Sequence, residues 1–365
     1  MFDIHTPVSF FLGANTPSGF LGYLDDLYDG KDGWRAYLIK SGPGTGKSSL
    51  MRAVLNRMTE LGEDAEAIFC SSDPHSLDGV VLRRLKLCIF DATSPHIIEP
   101  KYWGAVETIV DLGSCMDSGA MHAQADAVIA ATDACSGTHR RCCKFLGAAS
   151  SLLSDSARIA LACTDTEKIV RAARRLAQRE FPSAAKQKGR ETRRFLSAIT
   201  PEGPVIFHET IQTLCSRIYS IEDEYGASSR LLLAELRRLA LDAGLDIITC
   251  ACPLHPEEKI EHLLIPSIGV GFTTSNSWHK VDFPAYRRIH AARFTNDELL
   301  RTKKQLLSFN RRAAKGLLAE ADTIAAEAKQ KHDEMETFST AAMDWDAVNA
   351  LTGKVVAEIV ALATA

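Results

Sequence analysis

Aromatic residues make up only 7% of this 365-residue chain, and neither sign of charge is in large excess, the formal net charge being −4. A chain so balanced is not built to coat nucleic acid or anionic lipid. No uninterrupted apolar run approaches the roughly 20 residues of a bilayer-spanning helix, so no membrane span is expected. The opening residues, MFDIHTPVSFFLG, carry Asp3 where a secretory signal has basic residues, which argues against export. Cys-x-x-Cys pairs are absent, and the ten cysteines are expected as reduced thiols of a cytoplasmic protein. Cys142 and Cys143 adjoin, while Cys250-x-Cys252-x-x-His255 offers three metal ligands without an evident fourth. The guanine-reading motif Asn-Lys-x-Asp is missing too. With 46% hydrophobic and 24% charged residues, the composition is that of a soluble globular chain long enough for two domains.

What is present concentrates in Tyr37–Leu50, YLIKSGPGTGKSSL. An apolar strand, Tyr37-Leu38-Ile39, runs into a glycine-rich turn that ends in Gly46-Lys47-Ser48, and an apolar-periodic helix follows. Glycines at 42, 44 and 46 let successive backbone N–H groups converge on phosphate oxygens. Lys47 is placed for the β- and γ-phosphates, Ser48 for Mg²⁺, and the helix adds its positive N-terminal end. The stretch reads as a P-loop, with Gly42, Pro43, Gly44, Thr45, Gly46, Lys47, Ser48 and Ser49 as the nucleotide-binding residues. Its one departure from G-x-x-x-x-G-K-[ST] is Ser41, where the pattern has glycine.

The chain also repeats itself. FFLGANTPSGF (10–20) and RFLSAITPEGP (194–204) share Phe-Leu-x-Ala-x-Thr-Pro-x-Gly. At a nearly constant offset, Tyr37 matches Tyr219, Ile39 matches Ile221, Gly44 matches Gly226 and Leu50 matches Leu232. Gly62 with Gly244, Cys70 with Cys252 and Phe90 with Phe272 continue the register. Two copies of one module are implied, divided as 1–185 and 186–365. The expected fold class is α/β: a P-loop NTPase-like parallel sheet, duplicated, each copy with an α-helical appendage.

Within the first copy, a strand at 37–41, a helix at 47–61 closed by Gly62, and a strand at 66–71 are expected. A short helix over 78–84 and a strand over 85–90 should follow. Residues 104–181 read as a helical appendage with breaks near Gly113 and Gly137. The run from Lys168 to Arg194, Lys186 included, is basic and ends in a linker at 182–191. A solvated helix face accounts for it, with an anion contact as the sharper alternative. Leu300, Leu307, Ala314, Ala321 and Ala328 recur every seventh position in a helix expected over 296–336. Folding back on 344–362 as a C-terminal hairpin is expected, with homodimerisation through the stripe as the alternative.

An apolar strand ending in an acid, LKLCIFD, makes Asp91 the candidate partner of Ser48 on Mg²⁺. Ala92 follows, where many ATPases carry a water-activating glutamate. In the turn SSDPHSLDG, Asp73 sits where P-loop kinases place a carboxylate on the acceptor hydroxyl, with His75, Asp78 and His96 as further candidates. Ser, Asp and Pro also make such turns without a ligand. Lys47, Asp91 and Asp73 are therefore the candidate catalytic residues. Arg83, Arg84, Arg140, Arg141, Arg230, Arg237 and Arg238 are the arginines on offer for transition-state charge. The second copy reads DEYGASSRL where the first has SGPGTGKSS: Ser229 replaces Lys47, Arg230 replaces Ser48, and Thr273 replaces Asp91. Lysine and acid are both gone, so the second copy is expected not to bind Mg-nucleotide.

On FLGANTPSGF, SGPGTGKSSLM, FCSSDPHSLDGV, IFDATSPH and the repeated TPEG, the chain resembles uncharacterised bacterial tandem P-loop ATPases along nearly its whole length. The resemblance implies ATP and Mg²⁺ as ligands and ATP hydrolysis as the activity. Because the second loop is degraded here, one working site beside a scaffold is expected. A P-loop kinase acting on a small molecule or nucleotide, and a non-hydrolysing nucleotide-binding scaffold, are the alternatives. The acceptor or protein partner is not named by the sequence.

Overall fold

The computed structural model describes residues 7–183, 185 and 187–364. Asp3, Lys186 and with it the exact point of division between the halves lie outside the described residues. The apolar runs of the first half become β1 (Val8–Phe11), β2 (Gly13–Thr16), β3 (Gly19–Gly22), β4 (Arg35–Lys40), α1 (Lys47–Glu60), β5 (Glu66–Phe69), β6 (Leu77–Leu82), β7 (Leu87–Asp91) and β8 (Glu107–Asp111). Three helices follow: α2 (Ser118–Ala123), α3 (Ala125–Leu161) and α4 (Thr166–Glu180). The second half repeats the order with β9 (Glu191–Arg194), β10 (Ser197–Thr200), β11 (Gly203–Ile206), α5 (His208–Leu214), β12 (Arg217–Glu222), α6 (Ala227–Asp242), β13 (Ile247–Cys252), β14 (His255–Ile265), β15 (Val270–Ser275) and β16 (Arg287–His290). It closes with α7 (Asp297–Thr302), α8 (Lys304–Ala342) and α9 (Trp345–Thr364).

The two six-stranded sheets have one topology, β1-β5-β6-β7-β4-β8 and β9-β13-β14-β15-β12-β16. The fold is α/β and duplicated. Most strand pairs are parallel, but β6 and β14 run antiparallel to both neighbours. The helix expected over 78–84 is thus a strand. Val80 and Val81 are β-branched, every residue of β6 is buried, and the turn before β7 holds Lys86 at φ 49°. Gly137 does not break α3 either. One interior glycine costs only about 1 kcal/mol, less than the long interface that α3 makes returns.

That interface joins the halves. α3 and α8 lie antiparallel: Cys135 and Cys142 point their thiols at the carbonyls of Ala328 and Ala321, and Asn310 donates to Asp155 at 2.9 Å. Leu307, Ala314, Ala321 and Ala328 are buried, so the heptad stripe is covered by α3. It neither folds back on the last helix nor remains free for a second chain. Instead α9 lies on α1 of the first half, where Val348, Val355 and Ile359 join Met51, Val54 and Met58. Reciprocally, α4 lays Ile169, Ala173 and Ala177 on Leu232, Leu233 and Leu236 of α6. The halves have exchanged their terminal helices about a pseudo-two-fold axis. Near the axis Phe11 and Phe195, equivalent residues of the repeat, exchange two backbone hydrogen bonds of 2.8 Å.

The expectation of no membrane span meets one weak candidate, and that of a solvated basic face holds over α4 alone. α9 is long and apolar enough to cross a bilayer by length and composition, although Asp346, Lys354 and Glu358 interrupt its sequence. Over α4 the basic run is the solvated face expected, with Lys168, Arg171 and Arg175 exposed, but its end is not: Arg190 pairs with Asp32 at 2.7 Å, Arg193 with Asp26 at 2.8 Å, and fully buried Arg194 with Glu66 at 3.2 Å. These pairs tie the second half to the first.

Because Ile359 is fully buried between α9 and α1, Ile359→Ala should lower stability by about 2–4 kcal/mol. Hydrogen exchange should then rise in α1 of the opposite half. Acceleration confined to α8 would instead fit a C-terminal hairpin.

Candidate functional site

The Gly42–Ser49 loop leaves the end of β4 and enters α1. Gly44 and Gly46 have φ of 67° and 90°, a region closed to most side chains, and Gly46 is the N-cap of α1. Ser41 lies outside that region, since Lys86 is the only non-glycine among the described residues with positive φ. Serine therefore meets no backbone demand for glycine there.

Lys47 stands on the first turn of α1 and turns back over the loop. Its ammonium donates to the Gly42 carbonyl and lies 3.5 Å from Asp91 Oδ2. Asp91 ends β7, the immediate neighbour of β4. Its other oxygen accepts from Thr93 N at 3.0 Å and from the Thr93 hydroxyl. The Ser48 hydroxyl accepts from Leu77 N at 2.9 Å, and Thr45 Oγ1 donates to Gly42 O at 2.9 Å. Pro43 is half-buried and Ser49 exposed. The loop with its lysine and the strand-end acid, far apart in sequence, thus meet at one sheet edge.

The end of α8 lies on this loop. Gly44 N donates to Glu336 Oε1 at 3.1 Å, and Thr340 Oγ1 donates to Gly44 O at 3.1 Å. A Cβ on Gly44 would stand 2.9 Å from the Glu336 backbone oxygen, so the approach requires glycine. Trp345 and Val348 of α9 flank Gly46. An anionic oxygen thus already sits on a loop amide, beside the positive end of α1. No local pattern in the sequence marks Glu336 or Thr340 for this role, because they arrive from the other half.

Asp73 is held in its own turn. It accepts from His75 N at 3.2 Å and Ser76 Oγ at 3.0 Å, and it pairs with Lys329 of α8 at 3.5 Å. The turn chemistry foreseen for it is present, and the cation that reaches it is a lysine. His75 points away to Glu202 at 2.7 Å. Asp78 and His96 form a buried pair at 3.1 Å, with Cys70 beside them. Of the arginines on offer, Arg83, Arg84, Arg141, Arg230, Arg237 and Arg238 pair with Glu66, Glu63, Glu320, Glu258, Glu191 and Glu235, none of them in the loop. Cys250, Cys252 and His255 do not gather as metal ligands: the Cys252 thiol approaches His255 to 4.0 Å, but Cys250 packs instead in the core between the halves.

In the second half the corresponding loop is closed from within. Gly226 keeps the left-handed conformation of Gly44, at φ 71°, but α6 starts at the next residue. The loop is therefore shorter than the first by the span of Thr45-Gly46. The buried Asp223 carboxylate accepts from Gly226 N at 3.1 Å and Ser229 N at 2.7 Å, so the helix N-terminus holds the chain's own anion. Strand pairing refines one equivalence: Thr274, opposite Ile221, takes the place of Asp91 opposite Ile39, because the connection from β13 to β14, where their register shifts, is one residue longer than that from β5 to β6. Either threonine lacks the charge.

Comparison with protein-family models, with curated proteins and with solved structures returns no match to this chain.

Burial alone would push the His96 imidazole down, yet the Asp78 carboxylate, with Asp91 behind it, raises it above its ordinary value. A raised histidine contributes stability that is complete below the unfolded value, about 6.5, and is lost as pH rises through the folded value. Wild type should therefore lose more stability than His96→Gln between pH 6 and pH 8.5, read as denaturant midpoints. Parallel curves would show that the pair adds nothing.

Proposed function

We propose that the chain is an ATP-binding P-loop NTPase with one working site, in the first half. Gly42–Ser49 cradles the phosphates, Lys47 neutralises them, and Ser48 with Asp91 holds Mg²⁺. The observation that carries this reading is the meeting of Lys47 and Asp91 at 3.5 Å beside a loop whose amide already holds a carboxylate oxygen. Ser48 and Asp91 offer hard oxygen donors, the chemistry Mg²⁺ selects. The ion, when bound, supplies charge neutralisation between the phosphates. ATP is preferred to GTP in this reading because no guanine-reading motif occurs. The setting is cytoplasmic, as the free thiols suggest.

Hydrolysis is favoured over transfer to an acceptor. Asp73, the residue a kinase would use, is engaged by its own turn and by Lys329. The second half takes no nucleotide, since Asp223 occupies its loop amides. Its contribution to the site is Glu336. For a phosphate oxygen to reach Gly44 N, the Glu336 carboxylate must withdraw, and since the Glu336 backbone also packs against Gly44, the end of α8 is the element that a bound phosphate would displace. Nucleotide binding is thereby coupled to the α3–α8 arm, and a bound phosphate competes with a carboxylate of like charge.

Lys47→Ala should weaken Mg·ATP binding by about 100-fold or more, through loss of the charge-assisted contact. Glu336→Gln should tighten it by about 10-fold, since a charged hydrogen bond is worth about 1.5–3 kcal/mol and its removal favours the ligand. Equilibrium binding with a fluorescent ATP analogue reads both. No Mg-dependent binding by wild type defeats the proposal. Phosphate release by wild type without any acceptor separates an ATPase from a kinase or a non-hydrolysing scaffold.

A further inference from the structure

The second half carries a buried polar cluster that nucleotide binding does not use. It occupies the place of the Asp78–His96 pair. By strand register Glu261 is equivalent to Asp78, and His279 to His96. The change lies one residue further on. In the first half Gly79 stands opposite Phe90, whose ring fills the space of any Cβ at 79. In the second half the same pair is His262 opposite Thr273, joined by a 2.8 Å hydrogen bond. An apolar pair has been replaced by a polar one in a region with no access to water: His262 is 0% and His279 3% exposed. Burying polar atoms without partners costs stability.

The hydrogen bonds present orient the rings toward one another. His279 Nδ1 faces the Thr274 carbonyl at 3.0 Å, so Nδ1 carries the proton and Nε2 presents its lone pair. His262 Nε2 and His279 Nε2 are both buried without a hydrogen-bond partner among the described residues. One ligand atom each from Glu261, His262 and His279 lies within 4.8 Å of the others, and His279 Nε2 is 3.9 Å from Glu261 Oε2. Across a tetrahedral ion bound at about 2.0–2.1 Å, ligand atoms stand roughly 3.3–3.4 Å apart, so small side-chain shifts close the set. Ser197 at 2.9 Å and Lys259 at 3.0 Å hold the two Glu261 oxygens, as outer-shell partners hold a ligating carboxylate. His208, its Nδ1 2.6 Å from Asp282 and its Nε2 buried without a partner, lies next to His279, the ring centroids being 6.1 Å apart.

We propose that the second half binds one divalent transition metal ion of the zinc class, ligated by Glu261, His262 and His279, with His208 as the nearest candidate for a fourth ligand. Two imidazoles and a carboxylate are the donor set such ions select, and they differ from the oxygen donors of Ser48 and Asp91. The ion satisfies the orphaned ring nitrogens and gives a reason for exchanging Gly79 and Phe90 for histidine and threonine. The retained fold of a half without a working phosphate loop then has a ligand of its own.

The test is titration of the chelator-treated full chain with Co²⁺, followed by its visible d–d absorption, with Zn²⁺ as competitor. One Co²⁺ per chain is expected, displaced by Zn²⁺ and unchanged in Lys47→Ala. Restoring the first-half pair with His262→Gly and Thr273→Phe together should lower the affinity by more than about 100-fold. Glu261→Gln should do so too, and it decides the matter if the double variant does not fold. Absence of saturable Co²⁺ absorption in wild type, or uptake unchanged in Glu261→Gln, overturns the proposal.

Discussion

Each half of this chain is completed by a helix of the other. The apolar face of α1 is closed by α9, and that of α6 by α4. Neither sheet-and-helix unit has its full core without the exchange. The exchange also fixes the long arm: α3 and α8 must pass each other antiparallel to deliver their last turns to opposite ends. The four backbone bonds at the two crossings obey the same pseudo-symmetry, Asp117 N to Ala342 O mirroring Asn296 N to Cys163 O. The result is one cooperative body in which contacts from one half enter the site of the other.

Within that frame the two loops have diverged by charge placement. Both hold a carboxylate on backbone amides. In the second loop it is Asp223, local, buried and bonded twice. In the first it is Glu336, brought by a helix end and bonded once, while Lys47 and Asp91 stay together beside it. A carboxylate built into the loop is part of its fold, whereas one carried by a separate helix leaves when the helix moves. This difference underlies the proposal of a single exchangeable site coupled to the arm.

Local chemistry was legible in the sequence; long-range partners were not. Glycine spacing and helical periodicity placed the loop, α1 and its stop at Gly62, because those signals act over a few residues. Asp91 on the strand beside β4 followed from the run of apolar residues ahead of it. The repeat was legible because Phe11 and Phe195 anchor equivalent motifs, and these two residues meet at the pseudo-axis. β6 is a strand where a helix is expected, since six buried residues in a row carry neither period. The alanine stripe of α8 specifies close packing but not against which helix, so α3 was missed and a hairpin expected. Glu336 has no signature at all, since its role exists only after exchange. Ser-x-His recurs at 94–96 and 277–279 and marks one histidine of the second-half cluster, but only strand register brings Glu261 and His262 to it.

The account rests on one loop being exchangeable and the other self-occupied. Calorimetric titration of the intact chain with Mg·ATP measures this directly. One site per chain is the predicted stoichiometry; two sites, or none, would contradict it.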